Sequence, residues 1–372
     1  MEEDIEIPKK PEIDAAATLK KNRKLYFFNI LFIICVLIGV FIYMFNVDGS
    51  ENIEIILKNA DYRWVVAGLG CLLGYWIIEA LSIHVPLKNL YPDQKFWDTF
   101  KVTMVGQLFN NLTPFASGGQ FMEVYSLYKQ GRRPSDTLSV LMMKFILMQT
   151  AMISFTVIVS ITQIGTFIEM FKDYIVLGIF GITLNILLVL FLFLAGFKKS
   201  IIVKIAKPFI KLGGKIHFGK HRLVKDPDKT IENFSVSVEN FNKQFKAMNK
   251  QKKTVAQMLC LGVAQSFLYY SITYMIYRAF GNSGASFLQV ITIQAFLMLL
   301  MTITPTPGAG LGAEGGFGVF FKRIFKNGTL SLSILFWRIY IFYLPIIVGA
   351  FFFIPTRRRI MKDEQEKAMQ NV

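Results

Sequence analysis

Apolar positions run through this chain in blocks long enough to cross a bilayer, separated by short charged stretches. Such blocks fall at roughly 25–45, 62–83, 135–163, 174–197, 255–280 and 331–354. A membrane-spanning helix needs ~20 mostly apolar residues, so each block predicts a full span. Two further apolar regions, about 98–128 and 287–325, are broken midway. The breaks read TPFASGG (Thr113 to Gly119) and TPTPGAGLG (Thr304 to Gly312). Proline removes a backbone donor and glycine weakens a helix, so neither region stays helical throughout. Freed backbone groups are tolerated at membrane depth only where protein or a wet cavity surrounds them. Each region therefore predicts a re-entrant hairpin of two half-helices, with Thr113, Pro114, Thr304, Pro305 and Pro307 at the breaks. The expected fold is an all-α polytopic membrane bundle of about six full spans plus two hairpins.

Composition agrees: 53% of the 372 residues are hydrophobic and 18% charged, with a mean hydropathy of +0.45. A soluble domain of this size carries more charge. The net charge of +16 is concentrated beside apolar spans, which favours cytoplasmic loops and anionic lipid headgroups over nucleic acid as its partners. Lys20, Lys21, Arg23 and Lys24 before the first span place the N-terminus (1–24) inside. The segment 198–254 holds 15 Lys/Arg and 4 Asp/Glu, so +11 of the +16 lies there. It is read as a basic cytoplasmic loop able to lie on the anionic inner leaflet, or as a plain topology signal. The last span returns to Arg357, Arg358 and Arg359 and a cytoplasmic tail (355–372). Lys322, Arg323 and Lys326 would then lie outside, against the positive-inside trend. The long acidic N-terminus predicts a retained first span rather than a cleaved signal. Cys35, Cys71 and Cys260 all fall in apolar stretches, so no disulfide framework is expected.

The two breaks superpose at one offset of 191 residues: Thr113–Pro114 on Thr304–Pro305, Gly119 on Gly310 and Glu123 on Glu314. With one hairpin entering from each side, this is an inverted-topology repeat, a plan that puts a binding site near the midplane between broken helices. TPFASGGQFMEVY and TPTPGAGLGAEGGFG resemble the paired signatures of the lysylphosphatidylglycerol synthase transmembrane region, a flippase-like membrane domain. The resemblance covers most of 25–354, a single flippase-like domain. The family includes the membrane half of multiple peptide resistance factors. The resemblance implies movement of aminoacylated phospholipid between leaflets, with a separate soluble domain making that lipid. From Arg359 only the tail RIMKDEQEKAMQNV remains here, so a transporter is expected rather than a phosphatidylglycerol lysyltransferase or a non-catalytic partner of an envelope enzyme.

Glu123 and Glu314 lie a few residues into the helices after the breaks. They could engage a cationic headgroup or carry a proton, or simply cap helix starts. Free N–H groups at Gly118, Gly119, Gly310 and Gly312 suit a lipid phosphate, although small residues also serve close helix packing. Lys144 sits mid-span, too deep for easy snorkelling, and calls for an interior partner or a phosphate. Arg338 and Glu79 are nearer span ends, where structural pairing competes with function. Gln107, Asn110 and Asn111 could wet a cavity or bond between helices. His217 and His221, four apart, lack a third zinc ligand and read as a solvated face. Gly310-x-Gly312-x-x-Gly315 lacks the strand–turn–helix context of a dinucleotide site, and with no GxxxxGK[ST] loop no cofactor is expected.

Overall fold

The computed structural model describes residues 50–171, 174–215, 217–218, 221–222, 226–302, 308, 310–326 and 328–353. The expected first span, both terminal tails, and Thr304, Pro305 and Pro307 lie outside the described residues. Short helix α1 (Ser50–Lys58) leads into the long α2 (Tyr62–Leu90). Asp61 starts α2 by accepting from the Arg63 N–H at 3.1 Å. The first hairpin is α3 (Phe96–Leu112), a 3-10 turn at Pro114–Ala116 and α4 (Gly118–Lys129). Then come α5 (Pro134–Thr162), α6 (Ile164–Phe171) and α7 (Ile175–Phe197). Helices α8 (Lys199–Lys215) and α9 (Pro227–Asn249) flank a minimal strand pair, His217–Phe218 with His221–Arg222. Helix α10 (Lys252–Ala279) leads to the second helix pair, α11 (Phe287–Thr302) and α12 (Gly310–Phe321). The last helix, α13, runs from Leu330 to Phe353 and contains a π segment at Ile339–Tyr343.

Five of these helices are long and apolar enough to cross a membrane: Tyr62–Leu90, Pro134–Thr162, Gly178–Phe197, Lys252–Ala279 and Leu330–Phe353. They coincide with the five expected spans inside the described region. Helix α2 departs most, continuing to Leu90 rather than ending near residue 83. Pro86 would ordinarily stop it, but Ile83 and Leu87 are fully buried and hold the last turns in place.

Apolar burial gives little drive for helix association inside lipid, so close backbone approach and polar contacts take over. The most extensive helix pairing is α2 against α10, with α10 also packing on α5. Helix α13 crosses α3 at Gly349, where a Cβ would lie 2.5 Å from the Met104 carbonyl; only glycine fits there. Among the described residues four apolar clusters form, of which two are large. One gathers Leu72, Trp76, Ile276, Phe296, Phe317 and Trp337 around the second helix pair. The other gathers Ile83, Leu127, Val140, Met143 and Phe245 around the first hairpin and α9.

The basic segment 198–254, read from sequence as a loop, is mostly helical. Helix α9 docks on the ends of α5 and α7 because Val238, Phe241, Phe245 and Met248 recur on one buried face. Its buried Asn242 donates to the Ala195 and Gly196 carbonyls, at 3.0 and 2.6 Å, which would otherwise be orphaned at the end of α7.

Candidate functional site: two ion clusters beside two helix pairs

The first break forms because Thr113 leaves α3 with extended backbone, and Phe115 and Ala116 then adopt left-handed conformations (φ 55° and 51°). Such values are rare outside glycine and mark a turn that the surroundings must hold. Its brace is visible. The Thr113 hydroxyl donates to the Phe109 carbonyl at 2.7 Å and accepts from the Gly118 N–H at 2.8 Å. Asn110 accepts from the Gly119 N–H at 3.0 Å. The N–H groups proposed as a phosphate cradle at Gly118 and Gly119 thus bond to the side chains of Thr113 and Asn110. Ser117 makes no capping bond to α4; its hydroxyl instead donates to the Pro114 carbonyl.

Glu123 projects from α4 into the bundle and is 3% exposed. A Cβ on Gly106 of α3 would sit 2.6 Å from its Oε1, so that glycine makes room for the carboxylate. Lys144 of α5 reaches Glu123 Oε1 at 3.5 Å and makes a shorter ion pair with Glu79 Oε1 of α2. Gln265 of α10 donates to the other Glu79 oxygen. Four helices thus converge on one cluster. Gln107 of α3 and Gln265 flank the Tyr75 hydroxyl beside it.

The second cluster repeats the scheme. Glu314 lies in the second turn of α12, and its Oε1 is 2.6 Å from Arg338 Nε of α13. Arg338 Nη1 also donates to the Gly308 carbonyl at 2.9 Å, and the guanidinium lies over the Trp337 and Phe342 rings. In each half, a glutamate after the break is paired with a cation from the following long helix. That cation comes 21 residues later in one half and 24 in the other (144 − 123, 338 − 314). Tyr75 and Tyr269, with ring centroids 5.3 Å apart, stand between the clusters. Tyr75 feels Glu79 and Tyr269 feels Arg338.

The structure therefore brings Glu123, Lys144 and Glu79 together, and Glu314 with Arg338. Gly310 begins α12 and Gly312 lies in its first turn. Asn111 donates back to the Gln107 carbonyl of its own helix. The backbones of His217 and His221 sit in the strand pair, and among the described residues no group of three metal-ligating side chains occurs. Gln265 was not anticipated; its signal was an amide inside an apolar run.

At the mouth of the first hairpin, Arg132 clasps Asp93 with two bonds, 3.1 and 2.6 Å, and covers the Tyr91 ring. The guanidinium holds the Asp93 carboxyl below its ordinary range.

Long apolar helices, two helix pairs too short to cross singly and buried ion pairs define an integral, multi-pass membrane protein. The chain belongs to the family of the lysylphosphatidylglycerol synthase TM region, whose family model matches residues 28–349. Among curated proteins, none matches the chain in sequence.

Proposed function

We propose that this protein is a lipid translocase, passing the headgroup of a phospholipid between leaflets through the space bounded by the two helix pairs. Aminoacylated phospholipids such as lysylphosphatidylglycerol are the leading class. The carrying observation is the repeated ion pair, Glu123 with Lys144 and Glu314 with Arg338. Ionisable groups inside a membrane are costly and mark substrate or ion pathways. An aminoacyl phospholipid carries an amine that suits the carboxylates and a phosphate that suits the lysine and arginine, so it can exchange partners with both pairs. The family membership supports the same reading.

In this reading the helix pairs are re-entrant from opposite sides of the cell membrane, and the termini and 198–254 are cytoplasmic. Helix α8 then lies on the anionic inner leaflet. Its exposed Ile205, Phe209 and Leu212 recur on one face among Lys204, Lys207 and Lys211, the pattern of an interfacial helix.

The test is leaflet exchange of labelled aminoacylated and ordinary phospholipids in liposomes containing the full-length protein. Exchange faster than in empty liposomes, and reduced in Glu314→Gln, is the expected result. Hydrogen bonds to charged groups are worth about 1.5–3 kcal/mol, so losing one should slow exchange by roughly ten- to a hundredfold. No acceleration with any lipid overturns the proposal.

A further inference from the structure

The first cluster does not balance its charge. Glu79, Glu123 and Lys144 supply two carboxylates and one ammonium, and all three side chains are at most 11% exposed. A buried charge without a partner is strongly disfavoured, and such groups neutralise rather than stay ionised. Among the described residues, those named around the cluster supply no further positive charge to it. Tyr75 of α2, Gln107 of α3, and Gln265 and Tyr269 of α10 are neutral donors. Arg338 is engaged with Glu314. On α2, His84 faces Thr99. On α3, Lys101 is paired with Asp98; on α4, Lys129 lies over Tyr125; on α5, Asp136 accepts from Tyr91.

We propose that the Glu79–Lys144–Glu123 triad holds one exchangeable proton, carried on Glu123. Geometry selects the carboxyl. Glu79 receives donors on both oxygens, Lys144 on one and Gln265 on the other, which is the environment of an ionised carboxylate. Glu123 has the longer contact to Lys144, 3.5 Å. The step is a simple ionisation: the O–H bond of Glu123 breaks, the proton leaves to water, and the electron pair remains on the carboxylate. The deprotonated triad is one positive charge short. If the translocase reading holds, a headgroup amine completes it, so proton release and amine binding become alternatives at one place.

The inference is tested without lipid transport, by infrared spectroscopy of the full-length protein in nanodiscs, following the C=O stretch of a protonated carboxyl from acidic to alkaline pH. Wild type should show such a band near neutral pH, and Glu123→Gln should abolish it. In Glu79→Gln a single carboxylate faces Lys144, so Glu123 ionises and the band should also vanish. In Lys144→Met both carboxyls should protonate and the band should grow about twofold, in line with the charge that buried groups avoid. A merely structural role would not move the band in opposite directions. No band in wild type, or one that survives Glu123→Gln, overturns the proposal; these two measurements decide it even if the other variants misfold. Lipid exchange without the band would sink the proton and keep the translocase. The band without exchange would do the reverse.

Discussion

The two ion clusters are built alike and charged differently. Around the first hairpin, one lysine serves two carboxylates, and a glutamine of α10 completes Glu79. Around the second, one arginine serves one carboxylate, a carbonyl and two aromatic faces. Lysine is a compact ammonium on a flexible stem and can change partners, whereas a stacked, forked guanidinium is fixed by its geometry. The comparison makes the first cluster the adjustable half and the second the anchored half.

Removing the anchor should have the largest effect. Arg338→Met leaves Glu314 without its cation and strips the contact to the Gly308 carbonyl. Breaking a buried pair costs about 3–5 kcal/mol, so thermal unfolding in detergent should fall markedly. Arg338→Lys should recover only part of the loss, and full recovery would erase the distinction between the halves. Next in size is Gly106→Ala, which drives a methyl into Glu123. Overpacking costs roughly 1–3 kcal/mol. Gly315→Ala on α12 has open space and should be neutral or slightly stabilising in the same unfolding measurement. Asn110→Ala removes the acceptor for the Gly119 N–H and should cost about 1 kcal/mol; faster amide exchange at Gly118 and Gly119 should accompany it.

The smallest effect lies at the hairpin mouth. Asp93 is lowered in the folded protein, so the stability from its clasp with Arg132 is present above the ordinary carboxylate pKa. It is lost only as pH falls through the depressed value. Amide protection around Tyr91 to Lys95, taken relative to the unfolded chain at the same pH, should therefore be flat through neutral pH and fall only in strong acid. In Arg132→Gln the clasp is absent at every pH, so protection there should be lower at neutral pH and this acid step should disappear.

The apolar blocks foretold five spans, and the Thr–Pro and glycine breaks foretold the interruption at Thr113–Gly119, because length and backbone chemistry are local properties. Glu123 and Lys144 stood out for a similar reason: charges are rare in apolar runs. Glu79 reads as lying near a span end because the apolar block is bounded at residue 83. Once α2 continues to Leu90, Glu79 becomes an interior residue, and only tertiary burial of Ile83 and Leu87 reveals that. The helical nature of 198–254 was masked by its charge. The spacing of Val238, Phe241, Phe245 and Met248 was legible there, yet its meaning depended on the unseen groove between α5 and α7. Which cation meets which glutamate joins residues distant in sequence, and no local pattern encodes it.

Helix α13 has a bearing on how the halves communicate. Above its π segment, Arg338 grips the second helix pair. Below it, Gly349 lies against Met104 and Phe353 against Phe109, both on α3. A π segment inserts an extra residue into the helical repeat and breaks the regular ladder of bonds. This single rod is thus clamped at one end to each helix pair, with a swivel at Ile339–Tyr343 between the clamps. A tilt of either pair must twist that joint or drag the other along, so the rod works as a mechanical linkage whose stiffness is set by five residues.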